Sequence, residues 1–122
     1  MALALVTGSS RGIGRAIALA LAEREYDVIV NCRSRVDDAE AVAEEIRKLG
    51  RQAHVAQFDV GAGAETEEAV SKIVKDLGCP DALVNNAGVY ERCPLELDLE
   101  DWLGGWDRTL RINLLSAAQL CR

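Results

Sequence analysis

The sequence is poor in several residue types, and each shortage excludes a class of protein. It has one histidine, and its four cysteines (Cys32, Cys79, Cys93 and Cys121) are scattered with no Cys-x-x-Cys pair. No zinc site or other metal site is expected from such a set, and reduced thiols in the cytoplasm are the simpler expectation. Basic residues are outnumbered, 14 against 20 acidic, for a net charge of −6. That balance lacks the basic footprint of a general nucleic-acid binder and gives no attraction to anionic membrane. No apolar run approaches the roughly 18–20 residues that span a bilayer. The opening Met1 to Val6 has no basic flank and meets Thr7-Gly8 after a few apolar residues, so no secretory signal is expected. Internal repeats, low-complexity tracts and linkers are also missing. What remains is 122 residues at 49% hydrophobic, enough to pack one domain over 1–122 and too ordered a composition for a disordered tail.

Apolar runs and helical patterns alternate along the chain. Leu3 to Val6 is a short buried strand ended by Thr7-Gly8, and Ile13 to Arg24 is a helix with Ile13, Ala16, Ile17, Ala20 and Leu21 on one face. Val28-Ile29-Val30 is a second strand, β-branched throughout. A second helix takes Ser34 as N-cap with Asp37 as capping-box partner, buries Ala39, Val42, Ala43, Ile46 and Leu49, and stops at Gly50. Ala53 to Phe58 is a third strand, and Glu65 to Leu77 a third helix facing inward through Val70, Ile73, Val74 and Leu77. Asp81 to Asn85 makes a fourth strand, and a loop with Pro94 leads to a helical stretch from about Glu100 to Arg122. Strand–helix alternation of this kind predicts parallel strands joined by right-handed crossovers. Near-continuous apolar strands fit a sheet covered on both faces. The fold class is α/β, a Rossmann-like doubly wound parallel sheet.

Between the first strand and the first helix stands Thr7-Gly8-Ser9-Ser10-Arg11-Gly12-Ile13-Gly14. The spacing G-x-x-x-G-x-G differs from the general dinucleotide fingerprint, but it can serve the same end. Gly8 permits a tight turn, Gly12 lets backbone approach a pyrophosphate, and Gly14 lets the helix pack close to the sheet. The helix N-terminus then offers free N–H groups to phosphates. Three glycines could also merely make a loop, but their place between strand and helix favours the phosphate cradle.

These residues resemble the cofactor signature of the short-chain dehydrogenases/reductases. Asn85-Asn86-Ala87-Gly88 after the fourth strand is similar to that family's second signature, and Asp59-Val60 stands where the family contacts adenine. Asn113, within Arg111 to Leu114, looks like its helix asparagine. The four features stand in the right order from Thr7 to Asn113, and the closest flavour is the 3-oxoacyl-acyl-carrier-protein reductase branch. The resemblance implies an NAD(P)(H)-binding part of an oxidoreductase that interconverts a small-molecule carbonyl and an alcohol by hydride transfer. It implies that Ser9, Ser10, Arg11 and Ile13 line phosphates and ribose, with Gly8, Gly12 and Gly14 as the frame. It places Asp59 and Val60 beside adenine, and Asn86, Ala87 and Gly88 at the central strand end. Asn113 would hold a water in the proton path. Taken singly, Asp59 could cap a loop turn, and Asn85-Asn86 could satisfy loop backbone.

Cofactor choice rests at the end of strand two, where an acidic residue would hold the ribose 2′-hydroxyl of NAD(H). Here Asn31-Cys32-Arg33-Ser34-Arg35 has no acid before Asp37, and Arg11 adds a cation on the same side. NADP(H) is therefore preferred and NAD(H) possible, although Arg33 and Arg35 could be ordinary solvated side chains. His54 is expected at the surface of a strand edge. Trp102 and Trp106 are expected to pack, in a segment about four residues longer than the family's usual approach to its asparagine. Glu44-Glu45 and Glu67-Glu68 are solvated helix faces.

The family's proton-transfer machinery is a serine plus Tyr-x-x-x-Lys beyond the asparagine helix. Four residues after Tyr26 is Val30, and four after Tyr90 is Pro94, so neither tyrosine makes the motif. The chain corresponds to the first mononucleotide-binding half plus the fourth strand and its helix, without the C-terminal strands. Alone it is expected not to transfer hydride at an enzyme's rate, and Tyr90 is expected in a binding loop. The alternatives are a non-catalytic dinucleotide-binding or assembly module and, more weakly, an extended-type epimerase. The last helix carries Leu110, Leu114, Ala117, Ala118 and Cys121 on one apolar face. With the exposed edge of strand Asp81–Asn85, this suggests a homo-oligomer formed through that helix.

Overall fold

The computed structural model describes residues 2–122, and among these lie four parallel strands with helices on both faces. In chain order these are β1 (Leu3–Val6), α1 (Gly12–Glu23), β2 (Asp27–Cys32), α2 (Val36–Lys48), β3 (Ala53–Gln57), α3 (Gly63–Leu77) and β4 (Ala82–Val84). A continuous helical stretch follows, made of α4 (Leu99–Leu110), a π segment (Arg111–Leu115) and α5 (Ser116–Leu120). The sheet order is β3-β2-β1-β4. Leu5 sits opposite Ile29 on one side and Leu83 on the other, and Ile29 opposite His54. The chain winds outward from β1 to β3, then crosses back to lay β4 beside β1. Strand order reverses between those two, which opens a crevice at their carboxyl ends.

Two apolar clusters hold the sheet between its helices. Val6, Val28 and Val30 pack with Ala18 and Ala22 of α1 and with Ala39, Val42, Ala43 and Ile46 of α2. On the opposite face Leu3, Leu5 and Ile29 meet Phe58, Val60 and Ile73, with Ile112 and Leu120 against them. Successive residues such as Leu5 and Val6 thus enter different clusters, as the pleat dictates. Both faces of β1 and β2 are buried, so their sequences are apolar without alternation.

Several local expectations are corrected. The inward stripe of α1 is Gly14, Ala18 and Ala22, spaced four apart, whereas Ile13 is 75% exposed and Ala16 is exposed. Small residues win that face because they let the helix lie close against the strands. Helix α2 starts at Val36 with Arg35 at the N-cap and no side-chain cap bond, so Ser34 and Asp37 form no capping box. Its Ala39, Val42, Ala43 and Ile46 are buried as expected, but Leu49 is exposed beyond the helix end, before Gly50 turns at φ +85°. In α3 only Ile73 of the expected apolar four is fully buried, joined by Thr66; Val74 and Leu77 are exposed. The final helix begins at an N-cap, Asp98, whose side chain accepts from the Asp101 N–H. It is interrupted where the Ser116 N–H donates to the Arg111 carbonyl, five residues back. Its inward residues are Gly105, Ile112, Ser116 and Leu120, while Leu110, Leu114 and Leu115 are exposed. No helix among the described residues is long and apolar enough to cross a membrane.

Candidate functional site

A cleft of about 490 Å³ opens at the carboxyl ends of the strands. The β1–α1 turn forms its floor, with Gly8, Ser10, Arg11, Gly12 and Ile13 lining it. The β2 end contributes Asn31 to Arg35, the β3 end Phe58, Asp59 and Val60, and the β4 end Asn86 to Val89. Ile112 of the π segment closes the far side.

The turn keeps its shape through glycine and through buried polar side chains. Gly8 and Gly12 lie in the left-handed region, at φ +60° and +59°. Space around Gly12 is open, whereas a side chain at Gly8 would meet the Ala87 backbone at 3.1 Å. The Thr7 hydroxyl accepts the N–H groups of Asn86 (3.0 Å) and Ala87 (2.9 Å), and Asn86 Nδ2 donates to the Thr7 and Gly8 carbonyls, both at 3.0 Å. The β4 loop is thereby bolted onto the β1 turn. Asn31 completes the frame from the other side: its Oδ1 accepts the Gly8 N–H at 3.0 Å. Its Nδ2 donates to the Ala56 and Phe58 carbonyls at 3.1 and 3.2 Å. Every buried side-chain nitrogen and oxygen among the described residues is partnered. The walls are preorganised.

Most of the expected cofactor residues come together here. Gly8, Ser10, Arg11, Gly12, Ile13, Arg33, Asp59, Val60, Asn86, Ala87 and Gly88 all line the cleft. Ser9 does not: it is fully buried, its hydroxyl donating to the Val6 carbonyl at 2.7 Å and accepting the Asn31 N–H at 3.1 Å. A hydroxyl in that position trims the end of the sheet and has no face left for a ligand. Gly14 also lies behind the cleft, within the first turn of α1, where its missing side chain lets the helix touch the Gly8 carbonyl and Asn86. Asp59 lines the cleft and also builds a turn, its Oδ1 accepting the Gly61 N–H at 2.8 Å.

Asn113 stands outside the cleft lining, and both ends of its amide are engaged. Its Oδ1 accepts the Val89 N–H at 2.8 Å and its Nδ2 donates to the Val89 carbonyl at 2.7 Å. These bonds fix the position of Val89, a cleft residue. Two contributors escaped sequence reasoning, Thr7 and Asn31, which carry the frame's hydrogen bonds. The available signal was a polar residue closing each of two apolar strands. Arg11 and Arg33 are exposed with no side-chain hydrogen bond among the described residues, whereas Arg35 pairs with Asp38 at 3.1 Å. Burial, and then the nearby charge of Glu40, pushes the Cys32 thiol above its ordinary value, which favours the protonated thiol. Tyr90 is 89% exposed beside the cleft, and Trp102 packs against Trp106 with ring centroids 6.0 Å apart.

The sequence matches the short chain dehydrogenase family model over residues 2–122. It is 47% identical over 111 residues to a 3-oxoacyl-acyl-carrier-protein reductase FabG of Aggregatibacter actinomycetemcomitans, an alignment covering 90% of this chain and 44% of the relative. The chain thus spans less than half the length of that relative. Among solved structures it is similar to a short chain dehydrogenase of Burkholderia cenocepacia in complex with NADP, at TM-score 0.85 and 38% identity, covering 97% of this chain and 47% of that one. An alcohol dehydrogenase from the archaeon Thermococcus sibiricus, complexed with 5-hydroxy-NADP, superposes at TM-score 0.84 with 35% identity, covering 98% of this chain and 49% of that one.

Proposed function

The chain belongs to the short chain dehydrogenase family, and from that premise we propose that its cleft binds NADP(H) as the cofactor-binding part of a reductase that interconverts a small-molecule carbonyl and an alcohol. The observation that carries this reading is the β1–α1 turn. It joins two left-handed glycines, open space at Gly12 and the first turn of a helix on the cleft floor. Those are the requirements of a pyrophosphate cradle. When bound, the nicotinamide ring would supply the hydride. This chain's residues bind and orient: Gly8, Ser10, Arg11, Gly12 and Ile13 at the phosphates, Asp59 and Val60 at the adenine. Asn86, Ala87 and Gly88 hold the β4 end, with Ser9 and Gly14 supporting from behind, and Asn113 acts through Val89.

Arg11 and Arg33, whose side chains have no partner among the described residues, support a 2′-phosphate, since no carboxylate lies between β2 and Arg35 to repel it. Titrating the chain with both cofactors should find NADPH bound about tenfold more tightly than NADH, the size of a charge-assisted hydrogen bond. Arg33→Ala should remove most of that preference and leave NADH nearly unchanged. Tighter binding of NADH would overturn the preference. In the same samples, NADPH oxidation with ketoacyl thioesters should stay at background, because neither Tyr26 nor Tyr90 has a lysine four residues on. Robust turnover lost in Tyr90→Phe would overturn that part.

Self-association through the last helix belongs to the same proposal. Trp106, Leu110, Leu114 and Leu115 are exposed there, and β4 is a terminal strand of the sheet. Light scattering at high concentration should show dimers or larger species, and a monodisperse monomer would count against it. A cytoplasmic location is supported by four free cysteines.

A further inference from the structure

The loop between β4 and α4 leaves the cleft at Val89 and is then fastened to the helix at three points. Val89, a cleft residue, has both backbone groups taken by the Asn113 amide. Two residues on, the Glu91 carboxylate accepts two hydrogen bonds from Arg108, one from Nε at 3.1 Å and one from Nη2. Cys93 then lays its sulfur against Gly105, where a side chain on the helix would come within 2.5 Å of it. The three receiving residues, 105, 108 and 113, do not share a face of an ordinary helix. At 3.6 residues per turn Asn113 would lie about 80° round from Gly105. The wider π segment brings it back toward the face that Gly105 and Arg108 present.

We infer that Glu91 and Arg108 are positioning residues of the cleft, their paired hydrogen bonds holding the loop Val89–Cys93 on α4 so that Val89 stays in the cleft wall. The inference rests on the proposed cofactor reading and deepens it at the β4 end. Bidentate pairing fixes direction as well as distance, which a lysine at 108 could not do. Arg108 holds the Glu91 carboxyl below its ordinary range through the same hydrogen bonds, so the latch stays charged near neutrality. Asn113 alone grips one residue at the loop's root, whereas Glu91–Arg108 sets the course of the strand of chain beyond it.

The test uses two probes on the whole chain: NADPH, which would reach the β4 end, and adenosine 2′,5′-bisphosphate, which would occupy only the Arg33 end. Arg108→Ala and Glu91→Gln should each weaken NADPH about two- to fivefold, the range for a partly exposed ion pair, and leave the bisphosphate unchanged. The reversed pair, Glu91→Arg with Arg108→Glu, should recover most of the loss. Trypsin cleavage after the exposed Arg92 should quicken several-fold in the single variants and return in the reversed pair. Equal weakening of both probes would mean a merely structural role, and unchanged binding with unchanged cleavage would overturn the latch outright. If the parent chain fails to bind NADPH, the cofactor reading falls instead, and the cleavage rates alone decide whether the latch exists.

Discussion

Replacing Gly14 with alanine should destabilise the protein by about 3 kcal/mol or more, although the same change inside most helices is stabilising. A Cβ at this position would sit 2.3 Å from the Gly8 carbonyl oxygen, 2.5 Å from Asn86 Nδ2 and 2.9 Å from the Ser9 Cα. None of these can yield cheaply. The Gly8 carbonyl is held by Asn86 and the Gly8 N–H by Asn31, while Ser9 is bonded to β1 and β2. The helix would have to lift from the sheet, parting Ala18 and Ala22 from Val6, Val28 and Val30. Urea or thermal unfolding measures the effect, and a midpoint about 10 °C lower is expected. Gly12→Ala is the matched control: its backbone is left-handed but its surroundings are open, so only about 1–2 kcal/mol of backbone strain applies. Should Gly14→Ala prove as stable as the parent, the close seat of α1 on the turn is wrong.

Asn31→Ala should be the second severe change, at about 3 kcal/mol together with at least tenfold weaker NADPH binding. The side chain is 2% exposed and serves three backbone groups at once, the Gly8 N–H and the carbonyls of Ala56 and Phe58. Removing it strands one donor and two acceptors at the meeting of three chain segments, each costing about 1–3 kcal/mol unless solvent reaches it. Gly8 and Phe58 both line the cleft, so stability and ligand binding should fall together. Asn31→Asp is a sharper probe: the carboxylate keeps the Gly8 bond but turns a donor into a repelled oxygen opposite two carbonyls. A loss below about 1 kcal/mol in both variants would mean that water replaces the amide and that Asn31 is no keystone.

The α/β class, the four strands and the places of the helices were legible in the order of residues. Strands buried on both faces must be apolar throughout, and the runs Leu3–Val6 and Val28–Val30 are. The shape of the β1–α1 turn was legible too, because left-handed turns and close helix approach need glycine, and spacing alone shows where. Charge at the β2 end was visible as well: Arg33 stands in a stretch, Asn31 to Arg35, that holds no acid. Such properties belong to a residue and its near neighbours in sequence.

Other properties depended on what lies across the fold. Hydrophobic periodicity put Ile13 inward and α1 turned Ala18 and Ala22 inward instead, because contact with the sheet is decided by fit as well as by transfer free energy. Ser9 and Ser10 are neighbours of one type, yet Ser9 spends its hydroxyl on the sheet end and only Ser10 lines the cleft. Thr7 and Asn31 look like ordinary strand-end polar residues until partners 79 and 23 positions away arrive beside them. Asn113 was singled out by its surroundings in sequence, but its task became visible only once the π segment aimed its amide at Val89. A hydrogen bond requires a donor and an acceptor about 3 Å apart, and that distance exists only after both segments are packed. The sequence alone determined which backbone shapes were permitted, while the packed fold decided which side chains face the cleft and which spend their polar atoms holding it open.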